Sequence, residues 1–421
     1  MYEEMVKAVE SLSSYEILKN EELTDVSSRG MLLRHKKSGA HVALVINDDN
    51  NKTFSIGFRT PVEDSTGVPH IIEHSVLCGS DKYPVKDPFM ELVKGSLNTF
   101  LNAMTYGDRT LYPVASCNDK DFENLMGVYM DAVFHPLIYS RPEIFRQEGI
   151  RFDIGEKGEL LYNGVVYNEM KGAMSRPERV LYQKGLEGLF PDTTYGNNSG
   201  GDPAVIRTLT YDKFLAFHKR YYHPSNSYIA LYGDFNVKER LEWMDENYLS
   251  RYDAIDPDSE IKKQDPARSN RNVEDFYPLG EKEDDKNKAY LSINFIVGDE
   301  TTAVENAACG IILDTLIGKN GAPVWQAVME SGICEDFSCW MDTDLRQPMV
   351  SMEAKNADPV RKEEFAKIIK DALAKEIEKG LNKKTIMALI NRREFEYLEA
   401  DSASTPRGIV FLLDMYGKWI Y

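Results

Sequence analysis

Alternating apolar and polar positions in the N-terminal part of the chain predict strands, and stretches with helical spacing follow them. The segments 31–47 and 53–60 are rich in β-formers and flank the turn-forming run Asn-Asp-Asp-Asn-Asn, which predicts a hairpin. A second hairpin is predicted at 99–105 and 110–116, on either side of Tyr-Gly-Asp-Arg. Helical periodicity returns at 119–134. This order of elements favours an α/β fold in which helices pack on sheets.

The rest of the chain divides into two blocks with a polar stretch between them. The polar residues 253–287 predict a linker that separates a first domain, 1–252, from a second domain, 288–421. The first block is predicted to continue with helices at 163–175, 177–189 and 237–248 and a strand at 227–232. The second is predicted to contain a strand at 289–297 and helices at 302–317, 360–381 and 384–399.

A weak internal repetition suggests that the two domains are related. Thr-Phe-Ser-Ile-Gly-Phe at 53–58 resembles Tyr-Leu-Ser-Ile-Asn-Phe at 290–295, and a predicted helix follows each copy. The second copy is not followed by histidines. The final segment, 408–421, has an apolar helical pattern with no cap or charged tail after it, so we expect the second domain to be truncated and the parent chain to continue.

Composition and charge narrow the possible functions. Hydrophobic residues at 42% and charged residues at 28% are typical of a folded protein. A formal net charge of −18 argues against a nucleic-acid partner. No window approaches the roughly 18 apolar residues of a membrane span, and no signal peptide is recognisable, so we expect a cytoplasmic protein without a membrane partner. The 5 scattered cysteines lack a C-x-x-C pair, which favours a reducing compartment.

The motif His70-Ile-Ile-Glu73-His74 is the strongest chemical signal in the sequence. Histidines at i and i+4 lie above one another on a helix, so their ring nitrogens can converge on one metal ion. Glu73 shares that face and can act as the base that takes a proton from a metal-bound water. This order is the inverted H-x-x-E-H arrangement of a group of zinc peptidases. Two unrelated histidines on an amphipathic helix are the alternative.

A catalytic zinc site needs a third protein ligand, and Glu169 is the candidate. Val165, Val166 and Met170 predict a buried face on its helix and leave Glu169 at the edge of that face. An ordinary exposed glutamate is the alternative. Cys78, four residues after His74, is a competing ligand on the motif helix and would make a His/His/Cys site of a small-molecule hydrolase; a packed thiol is its other interpretation.

Beyond the motif, several longer stretches make the chain resemble a known family. They comprise residues 67–89, 96–105, 108–116, 164–172, 198–203 and 222–227. Together they resemble the presequence proteases and falcilysin, the long-chain branch of the pitrilysin and insulin-degrading-enzyme family. The likeness extends from about residue 30 to the end and is most specific in the first domain. It implies two homologous domains, each with a mostly antiparallel sheet packed against helices.

The resemblance also implies residue roles. Zinc is expected at His70, His74 and Glu169, with Glu73 as the base. An edge strand at Asn102, Ala103 and Met104 is expected to bind an extended peptide substrate through backbone hydrogen bonds. A plain hairpin strand whose Met104 faces the core is the alternative for that segment.

One departure from the family changes the functional expectation. Members of this branch are about twice as long, and their C-terminal half closes over the site and supplies an Arg and a Tyr that stabilise the transition state. We therefore expect a zinc-dependent endopeptidase of unstructured peptides whose isolated N-terminal half is weakly active, because each missing donor can cost about a hundredfold in rate. The alternative is a non-catalytic peptide-binding or scaffold subunit of the same fold.

Overall fold

The computed structural model describes residues 2–86, 88–269, 272–280, 284–299, 302–318, 321–399 and 405–421. These residues form two compact units. The first unit consists of Met1–Lys171, Asn198–Ile261 and Ala400–Ile420, and the second consists of Gly172–Asn197 and Lys262–Glu399 with Tyr421. The predicted domains are the contiguous ranges 1–252 and 288–421, and the observed units differ from them. Gly172–Asn197 of the first range belongs to the second unit, and Ala400–Ile420 of the second range belongs to the first unit.

The elements are numbered in chain order. The strands are β1 (Tyr15–Leu23), β2 (Ser28–His35), β3 (His41–Ile46), β4 (Lys52–Arg59), β5 (Asn98–Leu101), β6 (Met104–Thr105), β7 (Arg109–Ser116), β8 (Arg151–Ile154), β9 (Leu160–Asn163), β10 (Ser227–Gly233), β11 (Ala289–Ile296), β12 (Asp336–Asp342) and β13 (Met349–Ala357). The helices are α1 (Tyr2–Glu10), α2 (Val68–Val76), α3 (Pro88–Gly95), α4 (Asp119–Phe134), α5 (Pro142–Glu148), α6 (Val165–Ala173), α7 (Pro177–Leu189), α8 (Pro203–Ile206), α9 (Tyr211–Tyr221), α10 (Val237–Asn247), α11 (Ala303–Leu316), α12 (Pro323–Glu330), α13 (Lys362–Lys379), α14 (Lys383–Glu399) and α15 (Arg407–Trp419).

The first unit is built on one large sheet with the strand order β1-β2-β3-β10-β4-β7-β5, in which β6 also pairs with β7. Its neighbours are antiparallel except for β3 and β10, which are parallel. The central strands β7 and β10 are buried along their whole length. Strands buried on both faces require covering layers on both sides.

The first predicted hairpin is wrong, and the second is confirmed. Strands β3 and β4 do not pair, because β10 lies between them and bonds to both. β10 is apolar and comes about 170 residues later in the sequence, so the local turn signal could not reveal the insertion. At the second site, β5 and β6 pair with β7 in antiparallel register, as the sequence predicts.

The C-terminal helix covers the first unit's sheet. The hydroxyl of Tyr416 donates to the carbonyl of Tyr228 on β10 at 2.7 Å and contacts that of Ser55 on β4 at 3.2 Å. Gly57 makes room for this ring, since a Cβ there would lie 3.0 Å from Tyr416 Cε1. Its neighbour Phe58 faces the other way and packs against Phe134 of α4. Helices α15 and α4 therefore cover opposite faces of the sheet. The segment 408–421 was expected in the second domain, but all of it except Tyr421 lies in the first unit.

The second unit repeats the sheet-and-helix layering on a smaller scale. Strands β11, β13 and β12 form an antiparallel sheet in that order. An apolar cluster on one face joins Val350 and Met352 of β13 to helices that include α12 and α13. The predicted strand and helices of this region are confirmed by β11, α11, α13 and α14. Among the described helices, none combines the length and apolar character needed to cross a bilayer.

Candidate metal centre

The motif helix α2 lies in the interior of the first unit. It begins after Gly67, whose φ of 69° is in the left-handed region, and has Pro69 in its first turn. A side chain at position 67 would lie 2.7 Å from the carbonyl oxygen of Gly200, so glycine lets the loop after α7 reach the helix. The rings of His70 and His74 are 5.0 Å apart between centroids and inclined by 75°. The helical spacing therefore places both rings on one side, as the sequence predicts.

Glu169 joins the two histidines. Its Oε2 lies 3.7 Å from Nε2 of His70 and 3.8 Å from Nε2 of His74. Among the described residues, these three form the group able to hold a metal ion, with ligand atoms within 4.8 Å of one another. Val166 and Met170 bury one face of α6, which leaves the side chain of Glu169 54% exposed. One side of the group is thus open to an incoming ligand.

The donor set fits a catalytic zinc ion. Two imidazole nitrogens and one carboxylate oxygen are a known three-ligand set that leaves a fourth position open. Donors about 2 Å from a tetrahedral ion lie roughly 3.3 Å from one another. The observed Nε2 to Oε2 separations of 3.7 and 3.8 Å need only a small contraction to reach that spacing.

The other ring nitrogen of each histidine has a partner of its own. Nδ1 of His70 lies 3.0 Å from the carbonyl oxygen of Gly200, and Nδ1 of His74 lies 3.4 Å from Oε2 of Glu148 on α5. With a proton on each Nδ1, both Nε2 atoms are left with lone pairs that point toward Glu169. Sequence reasoning missed Glu148, because no spacing rule connects it with a histidine 74 positions earlier.

Burial and the contact between His74 and Glu148 shift the pKa of each of these two side chains in opposite directions. For Glu148, burial alone raises the pKa, but hydrogen bonds from His74 and Gln147 bring it below its ordinary value. For His74, burial alone lowers the pKa, but the contact with Glu148 and the nearby Glu73 bring it above its ordinary value. The two side chains therefore stabilise each other as an ion pair or a charged hydrogen bond.

Glu73 lies beside the histidines and is only 8% exposed. Its Oε2 accepts a hydrogen bond from Oγ1 of Thr105 at 2.5 Å. Burial, the largest influence, raises the pKa of Glu73, although His70 and Thr105 oppose the rise. A carboxylate with a raised pKa is suited to taking up a proton and returning it.

The segment predicted to bind peptide lies at the edge of the large sheet. Strands β5 and β6 occupy that edge, and Asn102 and Ala103 lie between them. The amide of Ala103 donates to Oδ1 of Asn102 at 3.0 Å, and the carbonyl of Asn102 accepts from the hydroxyl of Tyr129 at 3.1 Å. Met104 is half-buried and pairs with β7. The edge is therefore continuous with the strand that carries Thr105.

Cys78, the alternative metal ligand, makes other contacts. Its Sγ lies 3.5 Å from the carbonyl oxygen of His74, and its thiol also hydrogen-bonds to Glu148. It is not part of the metal-binding group formed by the described residues. The His/His/Cys alternative is thus contradicted by the geometry, and the thiol belongs to the support of Glu148.

The five other histidines also lie outside the metal-binding group formed by the described residues. They are His35, His41, His135, His218 and His223. His35 lies between Oγ of Ser38, at 2.8 Å, and Oδ1 of Asp245, at 3.0 Å. This resembles a nucleophile triad, but Ser38 is 0% exposed and no substrate can reach it.

Two family models match the chain. The model described as insulinase (peptidase family M16) matches residues 40–151, which contain the motif helix. The model described as peptidase M16 inactive domain matches residues 208–392. Glu169 falls between the two matches.

Two relatives with similar sequences are longer than this chain. It is 47% identical over 410 residues to protein HypA of Clostridium perfringens, a match that covers 97% of this chain and 42% of that protein. It is 41% identical over 412 residues to presequence protease 1, chloroplastic/mitochondrial, of Arabidopsis thaliana, covering 97% of this chain and 38% of that protein. The chain spans about two fifths of the length of these relatives.

Solved structures share the fold. Pitrilysin superposes with a TM-score of 0.64 at 17% identity, covering 97% of this chain and 42% of that one. A putative M16-like peptidase from Alicyclobacillus acidocaldarius superposes with a TM-score of 0.66 at 17% identity, covering 94% and 90%. The predicted fold class, two homologous domains of mostly antiparallel sheet packed against helices, is confirmed.

Proposed function

Because the chain belongs to the M16 peptidase family, in the branch of the presequence proteases, we propose that it is the metal-bearing part of a zinc-dependent endopeptidase. The observation that carries this proposal is the convergence of His70, His74 and Glu169 with Glu73 beside them. The proposed substrates are unstructured peptides.

Three side chains would hold the metal ion. His70 and His74 bind through Nε2, since their Nδ1 atoms already contact Gly200 and Glu148. Glu169 binds through a carboxylate oxygen on the open side of the group. The chemistry supplied by zinc at such a site is Lewis acidity toward a carbonyl oxygen and a water pKa lowered to about 7.

Glu73 moves the proton. Thr105 occupies Oε2 of the carboxylate, so Oε1 is the oxygen presented to the attacking water. Glu73 takes a proton from that water as it attacks the scissile carbonyl, and it gives the proton to the leaving amine as the peptide bond breaks. The buried surroundings of the carboxylate keep competing bulk water away from the transfer.

The edge formed by Asn102, Ala103 and Met104 binds the substrate. An extended peptide adds to a sheet edge through backbone hydrogen bonds, which are the same for every sequence. Most of the backbone of a folded protein is already hydrogen-bonded internally, and this favours unstructured peptides as substrates. The expected partners are thus peptide substrates and neither nucleic acid nor membrane.

We further propose that the remainder of a longer parent protein takes part in catalysis. The relatives are more than twice the length of this chain, and their additional length is available to enclose the peptide and stabilise the transition state. In the isolated chain such donors are missing, and each can contribute about a hundredfold in rate. On the basis of its scattered cysteines, we propose a cytoplasmic location.

Zinc content and peptide cleavage test the proposal together. The full-length protein is expected to bind one zinc ion and to cleave a fluorogenic unstructured peptide. Glu73→Gln is expected to keep the zinc and lose at least about a thousandfold in kcat, since the base is gone while the ligands remain. Turnover that survives in this variant would contradict the assignment of Glu73.

A non-catalytic peptide-binding subunit is the second candidate. It is favoured by the match of residues 208–392 to the inactive-domain model, although these residues contain none of the four proposed site residues. Tight peptide binding by the zinc-loaded full-length protein, with no cleavage over hours, would establish this candidate and exclude the endopeptidase.

A further inference from the structure

We propose that Glu148 is a positioning residue that fixes the ring orientation and the protonated nitrogen of His74 for metal binding. This inference rests on the proposed metal site and adds to it a residue that no sequence motif marks. Its carboxylate reaches the histidine from α5, an element separate from both metal-ligand helices, α2 and α6.

The geometry places the carboxylate of Glu148 next to Nδ1 of His74. Its Oε2 lies 3.4 Å from Nδ1 of His74, while Nε2 of the same ring lies 3.8 Å from Oε2 of Glu169. The imidazole therefore lies between two carboxylates, one on each nitrogen. A proton on Nδ1 is held by Glu148, which leaves the lone pair of Nε2 for the metal and makes that nitrogen a stronger donor.

Glu148 is itself held in place. Its side chain is 8% exposed, and its Oε1 accepts from Nε2 of Gln147 at 2.9 Å. The thiol of Cys78, one helical turn after His74, provides a further hydrogen bond. A buried carboxylate is costly unless its oxygens are paired, so this arrangement restricts Glu148 to the position that faces His74.

The two histidines are supported differently. The outer partner of His70 is the neutral carbonyl of Gly200 at 3.0 Å, whereas that of His74 is a carboxylate. A carbonyl and a carboxylate both fix the tautomer, but only the carboxylate adds negative charge behind the ring. The contribution of Glu148 is therefore specific to His74.

The test measures zinc binding without turnover. The zinc dissociation constant of the 421-residue chain is measured by competition with a chelator for the wild type and for Glu148→Ala, Glu148→Met and Glu148→Gln. Loss of an outer-shell carboxylate commonly weakens metal binding about 10- to 100-fold. We expect a loss of this size in Glu148→Ala and Glu148→Met, and a smaller loss in Glu148→Gln, which keeps an acceptor for Nδ1–H. Glu143→Gln, on the exposed side of α5, is the matched control and is expected to bind as the wild type does.

A second readout separates positioning from stability. In zinc-free protein at alkaline pH, where histidine rings are neutral, ¹⁵N spectra are expected to show the Nδ1–H form for His74 in the wild type and a mixture of tautomers in Glu148→Met. A merely structural role would not change this ratio. Methionine fills the volume of the glutamate, so this variant serves if Glu148→Ala does not fold.

The outcomes distinguish this inference from the proposed function. If the folded Glu148→Met variant binds zinc as tightly as the wild type and keeps the Nδ1–H form, the role of Glu148 is refuted while the metal site stands. If the wild-type chain binds no zinc at His70 and His74, the proposed function itself fails. Weaker zinc binding with mixed tautomers supports the inference.

Discussion

The hydroxyl of Thr105 donates to Oε2 of Glu73 at 2.5 Å, which connects the sheet edge directly to the motif helix. Thr105 belongs to β6 and Glu73 to α2, so the segment proposed to bind peptide and the proposed base share one hydrogen bond. Displacement of β6 by a badly fitting peptide would therefore reorient the carboxylate. This link predicts that substrate positioning and proton transfer depend on each other.

Replacing Thr105 is expected to slow the chemical step. Thr105→Val keeps the shape of the side chain but removes the hydrogen bond, so the carboxylate of Glu73 is no longer fixed. We expect kcat to fall about tenfold or more, with little change in KM or zinc content, since a hydrogen bond to a charged group contributes at least about 1.5 kcal/mol. Thr105→Ser, which retains a hydroxyl, is expected to recover most of the loss in steady-state assays. A kcat equal to that of the wild type in Thr105→Val would show that the bond has no catalytic role.

Removing Glu169 is expected to abolish tight metal binding. Glu169→Ala leaves two imidazoles, and the loss of a direct ligand should exceed the roughly 100-fold effect of losing an outer partner. Elemental analysis after dialysis measures the zinc retained. Glu156→Ala removes an exposed glutamate from the turn between β8 and β9 and is the control. Full zinc retention in Glu169→Ala would mean that another side chain completes the site.

Tyr129 is expected to support peptide binding from beneath the edge. Its hydroxyl donates to the carbonyl of Asn102 at 3.1 Å, and its ring is fully buried. In Tyr129→Phe the carbonyl loses this partner, and the segment between β5 and β6 becomes less ordered. We expect KM for an unstructured peptide to rise about threefold to tenfold with kcat preserved, and stability to fall by about 1 kcal/mol. Steady-state kinetics and urea unfolding measure the two effects, and an unchanged KM would separate Tyr129 from the binding edge.

Stability is expected to fall in mild acid because of His218. Burial lowers the pKa of His218 to about 3, and its Nε2 lies 3.0 Å from the carbonyl oxygen of Val133. An unfolded histidine has a pKa near 6.5, so below that pH the unfolded state binds a proton that the folded state does not. Stability is therefore retained above about pH 6.5 and falls as the pH decreases toward 3.

For this one residue we expect a loss of about 2 kcal/mol between pH 7 and pH 5. Urea unfolding of the wild type and of His218→Gln at both pH values isolates it, since glutamine can donate and accept but does not titrate in this range. The variant should lose correspondingly less stability on acidification. Equal losses in both proteins would contradict the neutral state of buried His218.

The sequence was sufficient to predict the parts of the site that depend on local spacing. His70, Glu73 and His74 share a helix face because of helical geometry. Glu169 lies at the edge of the face buried by Val166 and Met170, as predicted, but Val165, which was expected on that face, is 43% exposed. The roles of these residues, and of the edge at Asn102, Ala103 and Met104, remain predictions for the experiments above.

The parts that could not be predicted depend on contacts between distant segments. The insertion of β10 between β3 and β4 replaces a hairpin that the turn sequence favoured. Glu148 and Thr105 reach the motif helix from other elements, and no periodicity in the sequence records such a contact. The position of α15 also depends on a contact between distant segments. Its apolar pattern predicts that the helix is buried but does not show which sheet it covers.

The packing of Tyr416 against Gly57 has a consequence for biosynthesis. The sheet on which the motif helix packs begins at Tyr15, but the part of its face around Gly57 is covered by Arg407–Trp419, about 350 residues later in the sequence. While the ribosome is still adding the intervening residues, this apolar surface remains exposed to solvent. A nascent chain that stops before α15 is therefore expected to bind chaperones, and formation of the proposed metal site is expected to follow translation of the second unit.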